Sequence, residues 1–309
     1  MESRKVTIGS RGSPLALWQA NWVKGLLKSH HPGLDVEIQI IKTSGDKIQN
    51  VPLAKIGGKG LFVKEIEESL LRGEIDFAVH SMKDMPISFP INLCIACVTK
   101  RENPFDALIS KNNTKLSDLP KGAKIGTGSL RRISQLMHYR PDLHLIPLRG
   151  NLETRLKKLE SEGLDAIILA AAGLIRLGWE DRITEIISSE ILLPAMGQGA
   201  VGIETRKNDV DNQILLAEFD HEDTHYALDA ERALVSQLEG GCNVPIGSFA
   251  TINDDQLTLT GLVASLDGKI LYQKRLTDIK TNAIALGRKM GDLLIGMGAD
   301  RIIKEIQSV

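Results

Sequence analysis

Lys124-Ile125-Gly126-Thr127-Gly128-Ser129-Leu130-Arg131-Arg132 holds a strand end, a glycine turn and a basic helix start in one short stretch. Lys124 to Gly126 is a short β run, and Leu130 to Tyr139 has the apolar spacing of an amphipathic helix, so the stretch reads as one β-to-α transition. The same transition recurs on both sides of it. Strand-like runs are expected at Val6 to Ile8, Val36 to Ile41, Phe77 to His80, Leu93 to Val98, Leu143 to Leu148, Ala166 to Ala170 and Ala200 to Ile203. Helices are expected at Pro14 to Ser29, Leu61 to Leu71 and Leu152 to Glu160, the last with Asn151 as N-cap. Alternation of this kind predicts an α/β fold of βαβ units with mainly parallel sheets.

The pattern changes after about residue 220. A helix from Asp223 to Leu238 leads through Gly240-Gly241-Cys242-Asn243-Val244-Pro245 to strands at Ser248 to Ile252, Leu257 to Ala264 and Ile270 to Arg275. Asp267-Gly268 is a hairpin signal, and one final helix is expected from about 282 to 307. This part reads as a separate small α+β domain. No internal repeat or low-complexity tract is visible.

The composition narrows the classes. A chain of 309 residues, 42% hydrophobic and 25% charged, suggests a globular protein of two or three domains. Its 38 basic and 39 acidic side chains leave no nucleic-acid footprint. Met1 to Gly9 carries charges and runs straight into a strand, and no stretch is long enough to span a bilayer, so a cytoplasmic protein free of membrane is expected. Three cysteines make no disulfide framework, and a single C-x-x-C without a second ligand pair makes a poor metal site. Cys94 and Cys97 fall in the apolar run Leu93 to Val98 and read as core. Cys242, in a glycine turn, reads equally as an inert thiol or a reactive one.

Basic and polar residues gather where strands end and helices begin: Ser10-Arg11-Gly12-Ser13, Lys55 to Gly60, Gly126 to Arg132, and Arg149-Gly150-Asn151 with Arg155. In α/β sheets these ends form the ligand crevice, and helix N-termini favour anions. Guanidinium groups prefer carboxylate or phosphate, so an anionic ligand with several such groups is expected. Nucleotide motifs fail: Arg131 stands where a third fingerprint glycine belongs, and Lys59 precedes Gly60 instead of Ser or Thr. Asp84 is the single acidic residue noted in a comparable loop. It is either a surface partner of Lys83 or a stabiliser of a developing cation. His80 reads as a packed strand histidine. Two other classes stay open, a non-catalytic dicarboxylate-binding protein and a transferase with a cysteine nucleophile.

Six ordered motifs carry a family resemblance. Arg11 to Ala16, Val79-His80-Ser81-Met82-Lys83-Asp84-Met85-Pro86, Gly128 to Arg132, Arg149-Gly150-Asn151 with Thr154-Arg155-Leu156, Pro194 to Gly199, and Gly240-Gly241-Cys242 resemble the porphobilinogen deaminases, also called hydroxymethylbilane synthases. The resemblance implies two α/β domains like those of periplasmic binding proteins and a small C-terminal α+β domain. Their expected bounds are 1–98 with 200–219, 99–199, and 220–309. It implies a transferase of haem and tetrapyrrole biosynthesis that joins four porphobilinogen molecules head to tail, releasing ammonia and hydroxymethylbilane, which uroporphyrinogen-III synthase then takes. A dipyrromethane cofactor would be held by thioether to Cys242, with Lys83, Thr127, Ser129, Arg131, Arg132, Gly150 and Arg155 around it. Substrate would be held by Arg11, Ser13, Gln19, Arg149, Arg155, Arg176 and Gln198. Asp84 would be catalytic, stabilising the azafulvenium cation left when ammonia departs. Residues 44 to 60 would form a lid carrying Lys55 and Lys59, with Phe62 beside it. No metal and a monomer are expected.

Overall fold

In the computed structural model, residues 4–47, 60, 62–239 and 244–307 are described. In chain order the strands are β1 (Lys5–Ser10), β2 (Asp35–Ile40), β3 (Phe77–Ser81), β4 (Leu93–Val98), β5 (Asp106–Ser110), β6 (Lys124–Gly126), β7 (His144–Ile146), β8 (Ala166–Ala170), β9 (Glu185–Ile187), β10 (Val201–Arg206), β11 (Ile246–Asn253), β12 (Gln256–Ala264) and β13 (Leu271–Ile279). The helices are α1 (Pro14–His30), α2 (Ser44–Lys47), α3 (Lys64–Leu71), α4 (Leu130–Tyr139), α5 (Leu152–Ser161), α6 (Ala171–Arg176), α7 (Val210–Ala217), α8 (Glu222–Gln237), α9 (Ala283–Met297) and α10 (Ala299–Gln307). They form two compact units, Met1–Arg101 with Ala200–His225, and Glu102–Gly199 with Tyr226–Val309.

The first unit is built on a sheet of order β2-β1-β3-β10-β4, and the second contains a sheet of order β7-β6-β8-β5-β9. Both follow one plan. The first three strands of each pair in parallel, and the fourth runs antiparallel to both its neighbours. The expectation of mainly parallel sheets therefore needs correction, because parallel and antiparallel pairings are equally many in each. The antiparallel strands, β5 and β10, are the first strands the chain makes after leaving the other sheet. Neither arrives through the right-handed helical crossover that imposes parallel pairing.

Alternate residues of each strand feed different cores. Phe77 and Val79 pack with Ala20, Val23 and Leu27 of α1, whereas Ala78 packs with Ile66 and Leu70 of α3. In the second unit Leu108 and Ile168 pack with Leu136 of α4, while Ala107, Ile109 and Ile167 pack with Leu159 and Leu174. Helices cover both faces, so the central strands β3, β5 and β8 are buried almost throughout.

The third sheet, β11-β12-β13, is antiparallel. Gly261 of β12 lets Leu234 of α8 and Met290 and Leu294 of α9 approach closely. The expected single final helix is two, because Gly298, at φ 107°, ends α9 in the left-handed conformation and accepts no continuation. The reading also lacked β5, β9, α2, α6 and α7. β9 spans three residues, and α6 follows β8 directly in one alanine-rich run with no turn signal between them.

Candidate active site

In the first unit, residues from the end of β1, the start of α1 and the end of β3 line an open cleft. Ser13 caps α1, its Oγ accepting from the Ala16 amide. Buried Gln19, one turn on, donates from Nε2 to Ser81 Oγ at 2.9 Å. β3 ends in a 3-10 turn, Met82–Asp84. Its Met82 is fully buried while Asp84 is exposed, so the packed methionine holds the turn and the carboxylate faces the cleft lining.

Arg11 is not an open receptor. Its guanidinium donates from Nε to Asp46 at 3.2 Å and lies 4.2 Å over the Phe62 ring. Burial pushes the Asp46 carboxyl up, but hydrogen bonds from Arg11 and Thr43 outweigh it and hold the group below its ordinary range.

In the second unit, Asp106 opens β5 and is 0% exposed. Arg131 and Arg132, in the first turn of α4, both converge on it, at 2.8 and 2.7 Å. Gln198 Nε2 adds a hydrogen bond to Asp106 at 2.9 Å and another to the Pro104 carbonyl at 2.7 Å. Arg131 also donates to Leu193 O and Arg132 to Ile168 O. Burial would raise the Asp106 carboxyl, yet the two guanidinium groups hold it far below the usual carboxylate range. Burial likewise lowers Arg131, with Asp106 opposing and Arg132 adding to the fall.

Two guanidiniums against one carboxylate leave this buried cluster with a net positive charge. Arg131 Nε and Arg132 Nε are buried without a hydrogen-bond partner. Ser129 caps α4 with no side-chain cap hydrogen bond, and Thr127 Oγ1 accepts the Ser129 amide at 3.3 Å. These residues fit an anionic group, since an added carboxylate would balance the charge and the helix N-terminus favours it.

Gly150 adopts φ 115°, and a Cβ there would lie 2.6 Å from Thr154 Cγ2. Asn151 caps α5 as expected, accepting the Thr154 amide at 2.9 Å, and Arg155 Nε donates to Gly150 O at 2.8 Å. The loop thus holds half-buried Arg149 and Arg155 on a compact turn. Arg176 is buried and donates to Gly199 O at 2.7 Å; burial lowers it to about 10 against the pull of Glu102.

Of the expected site residues, Cys242, Lys55 and Lys59 lie outside the described residues, as does most of the expected lid. Arg11, Ser13, Gln19, Phe62 and Asp84 line one cleft, with Lys83 half-buried next to Asp84 in sequence, and Arg131, Arg132 and Gln198 meet at Asp106; Arg155 and Arg176 bond Gly150 O and Gly199 O. Two further carboxylates stand among the arginines: Asp46 answers Arg11, and Asp106 answers Arg131 and Arg132. The missed signal for Asp106 is one aspartate opening an apolar strand, Asp106-Ala107-Leu108-Ile109, in a chain with two adjacent arginines at a helix start. His80 is packed on its strand as expected, but it also lines the cleft. Among the described residues no cluster of three or more His, Cys, Asp or Glu side chains is disposed to hold a metal ion.

A buried net-positive arginine cluster in one unit, and in the other a cleft with an exposed carboxylate, define an α/β enzyme that handles an anionic organic ligand. Proteins named porphobilinogen deaminase are similar over nearly the whole length. Those of Geobacter metallireducens (53% identical) and Geobacter sp. strain M21 (52%) cover 99% of this chain and 96% of the relative, and that of Desulforamulus reducens (52%) covers 98% of both. Two family models match as well: "Porphobilinogen deaminase, dipyromethane cofactor binding domain" over residues 6–213 and "Porphobilinogen deaminase, C-terminal domain" over 226–296. The chain belongs to the porphobilinogen deaminase family. It is a transferase of tetrapyrrole biosynthesis with a dipyrromethane-binding region. Among solved structures, the extracellular-binding protein ytmK of Bacillus subtilis is a loose likeness only, with a TM-score of 0.43 at 14% identity over 70% of this chain and 89% of that one.

Proposed function

We propose that the chain joins four porphobilinogen molecules head to tail on a primer attached at Cys242, releasing ammonia at each step and finally hydroxymethylbilane. The observation that carries this reading is the buried Arg131, Arg132 and Asp106 cluster, whose surplus positive charge a ligand carboxylate would neutralise. When bound, the dipyrromethane supplies the pyrrole carbon to which the first substrate is joined.

Arg131 and Arg132, with Lys83, Thr127, Ser129 and Gly150, hold the carboxylates of the primer. Arg11, Ser13, Gln19, Arg149, Arg176 and Gln198 hold those of arriving rings, and Arg155 serves both. Arg11 keeps Asp46 on one edge and presents its remaining N–H groups to an acetate or propionate. Asp84 accepts hydrogen bonds from pyrrole N–H at its carboxylate oxygens and stabilises the positive charge that appears as ammonia leaves. It then takes up the proton lost when the new bond forms. Such a placed charge is worth on the order of 3 kcal/mol of barrier. Lys55, Lys59 and Phe62 belong to a segment that screens the cleft from water.

Three domains are proposed, 1–98 with 200–219, 99–199 and 220–309. The presence of one sheet in each supports this division. Cysteines without a pairing framework support a cytoplasmic setting, and no helix among the described residues is long and apolar enough to cross a membrane. The chain works as a monomer without nucleic acid or metal, and uroporphyrinogen-III synthase takes its product.

The test is intact mass together with turnover of porphobilinogen. Wild type should exceed the mass of the bare chain by one dipyrrole, and Cys242→Ala should lack both the added mass and the activity. Asp84→Asn should keep the mass and lose at least ~100-fold in turnover. A Cys242→Ala protein with the added mass and normal turnover would refute the reading.

A further inference from the structure

The face of the first sheet turned to α3 holds three ionisable groups that the proposed chemistry does not use. His80 continues the alternation of Ala78 and therefore lies on the α3 side of β3. The register of β10 pairs Glu204 with Ala78 and Gly202 with His80, so Glu204 is the diagonal neighbour of His80 on that same face. Glycine at 202 makes room for the Met82 side chain, and His80 Nε2 meets Glu204 Oε2 at 3.0 Å. His80 is 6% exposed and Glu204 0%. Glu67, next to core residue Ile66 on α3, turns a buried Oε1 toward the interior without a hydrogen bond, and Glu204 Oε1 is in the same condition. His80 and Glu204 thus form a buried pair, and half-buried Glu67 stands on the helix whose Ile66 and Leu70 pack against that face.

We propose that Glu67, Glu204 and His80 act as one proton-sharing unit that positions the turn after β3, and with it Ser81 and Asp84, for the reaction. This rests on the reading of Asp84 given above. His80 immediately precedes Ser81 on the chain, and the residue is part of the lining of the cleft that Asp84 also lines, so the anchoring of its ring by Glu204 fixes where that turn begins. The three are positioning residues, acting through Asp84.

The electrostatics agree with the geometry. Burial, and after it the charge of Glu204, push the Glu67 carboxyl up to about 7, with His80 pulling the other way. Among the described residues, the charged groups on the neighbouring elements are engaged elsewhere. On β10, Arg206 is turned to Asp76 and Asp209. On β4, the Cys94 thiol is pushed up by burial, with Lys207 opposing and Glu204 contributing least. On α3, Glu65 accepts from the Ser44 amide, and β1 carries only Lys5, paired with Glu37. With its proton, Glu67 brings no negative charge to this face. Without it, Glu67 adds a negative charge on the helix that packs over this face, and the packing of α3 on the sheet is weakened. Because the folded value lies above the ordinary 4.5, this contribution to stability is complete at low pH and is lost as the pH rises through about 7.

Glu67→Gln keeps the shape and stays neutral at every pH. Measured as kcat/KM from about pH 5.5 to 9, wild type should fall at least threefold on the alkaline side, and the variant should stay within about twofold of its acid value. Its thermal midpoint should exceed that of wild type by a margin that grows with pH. Glu204→Gln, which still offers His80 an acceptor but removes the opposing charge, should flatten the alkaline fall as well. Profiles and midpoint differences that do not change with pH in these variants would overturn the proposal. An inactive wild type would instead defeat the porphobilinogen reading, and the pH trend of the thermal midpoints would then decide this one.

Discussion

Asp84 and Asp106 carry one side chain to opposite uses. Asp84 follows a buried methionine on a 3-10 turn and is exposed. Asp106 opens a strand between two arginines and is wholly buried. In the sequence each is simply an acidic residue at the end of an apolar run, and the difference comes from which helix start packs over it. Removing the charge at 106 would leave two guanidiniums in contact with no counter-ion. Asp106→Asn should therefore cost about 3–5 kcal/mol of unfolding free energy, read as a lowered midpoint in urea. An unchanged midpoint would mean that the arginines find another partner. The pair holds at any ordinary pH, since the Asp106 carboxyl stays ionised until far below the usual carboxylate range.

Elements with strong local signals were legible, and those held only by neighbours were not. α4 begins and ends where its apolar spacing says it should, and α5 starts at its Asn151 cap. β9 is three residues added to the edge of a sheet, too short to show a period. The turn before β10 belongs to the second kind. Gly199 adopts φ 91°, and a Cβ there would collide with the Glu102 carbonyl. Its own carbonyl accepts from Arg176 and from the Glu102 amide. Gly199→Ala should cost at least ~1–2 kcal/mol from the backbone conformation alone and should loosen Arg176. Thermal denaturation checks the first expectation, and an unshifted midpoint would show that the turn can be rebuilt.

At the scale of the whole molecule, each unit carries its own arginines, and each added ring brings two further carboxylates under the proposed reaction. If particular arginines serve particular rings, their loss should stop growth at particular lengths. Replacing Arg131 or Arg132 should give protein without the primer mass. Replacing Arg11, Arg149 or Arg155 should leave the primer and stall the ladder of enzyme-bound masses formed on brief exposure to porphobilinogen. One common ladder for all variants, with only a higher substrate requirement, would mean that the arginines act as a diffuse attracting field.

The alternation of β runs with amphipathic segments, the glycine turns and the basic helix starts determined an α/β fold with anion-binding loops, because periodicity and turn chemistry are local properties. The motif around Asp84 and the Cys242 turn determined the family by resemblance. Only the tertiary structure decided that both large sheets are half antiparallel, since strand direction depends on where the chain has come from and not on what the strand contains. It alone decided that Arg131 and Arg132 share Asp106, and that His80 meets Glu204 instead of packing against carbon. Those pairs join residues 25 to 124 positions apart, and burial, which forces charges to find one another, acts on distance in space and not along the chain.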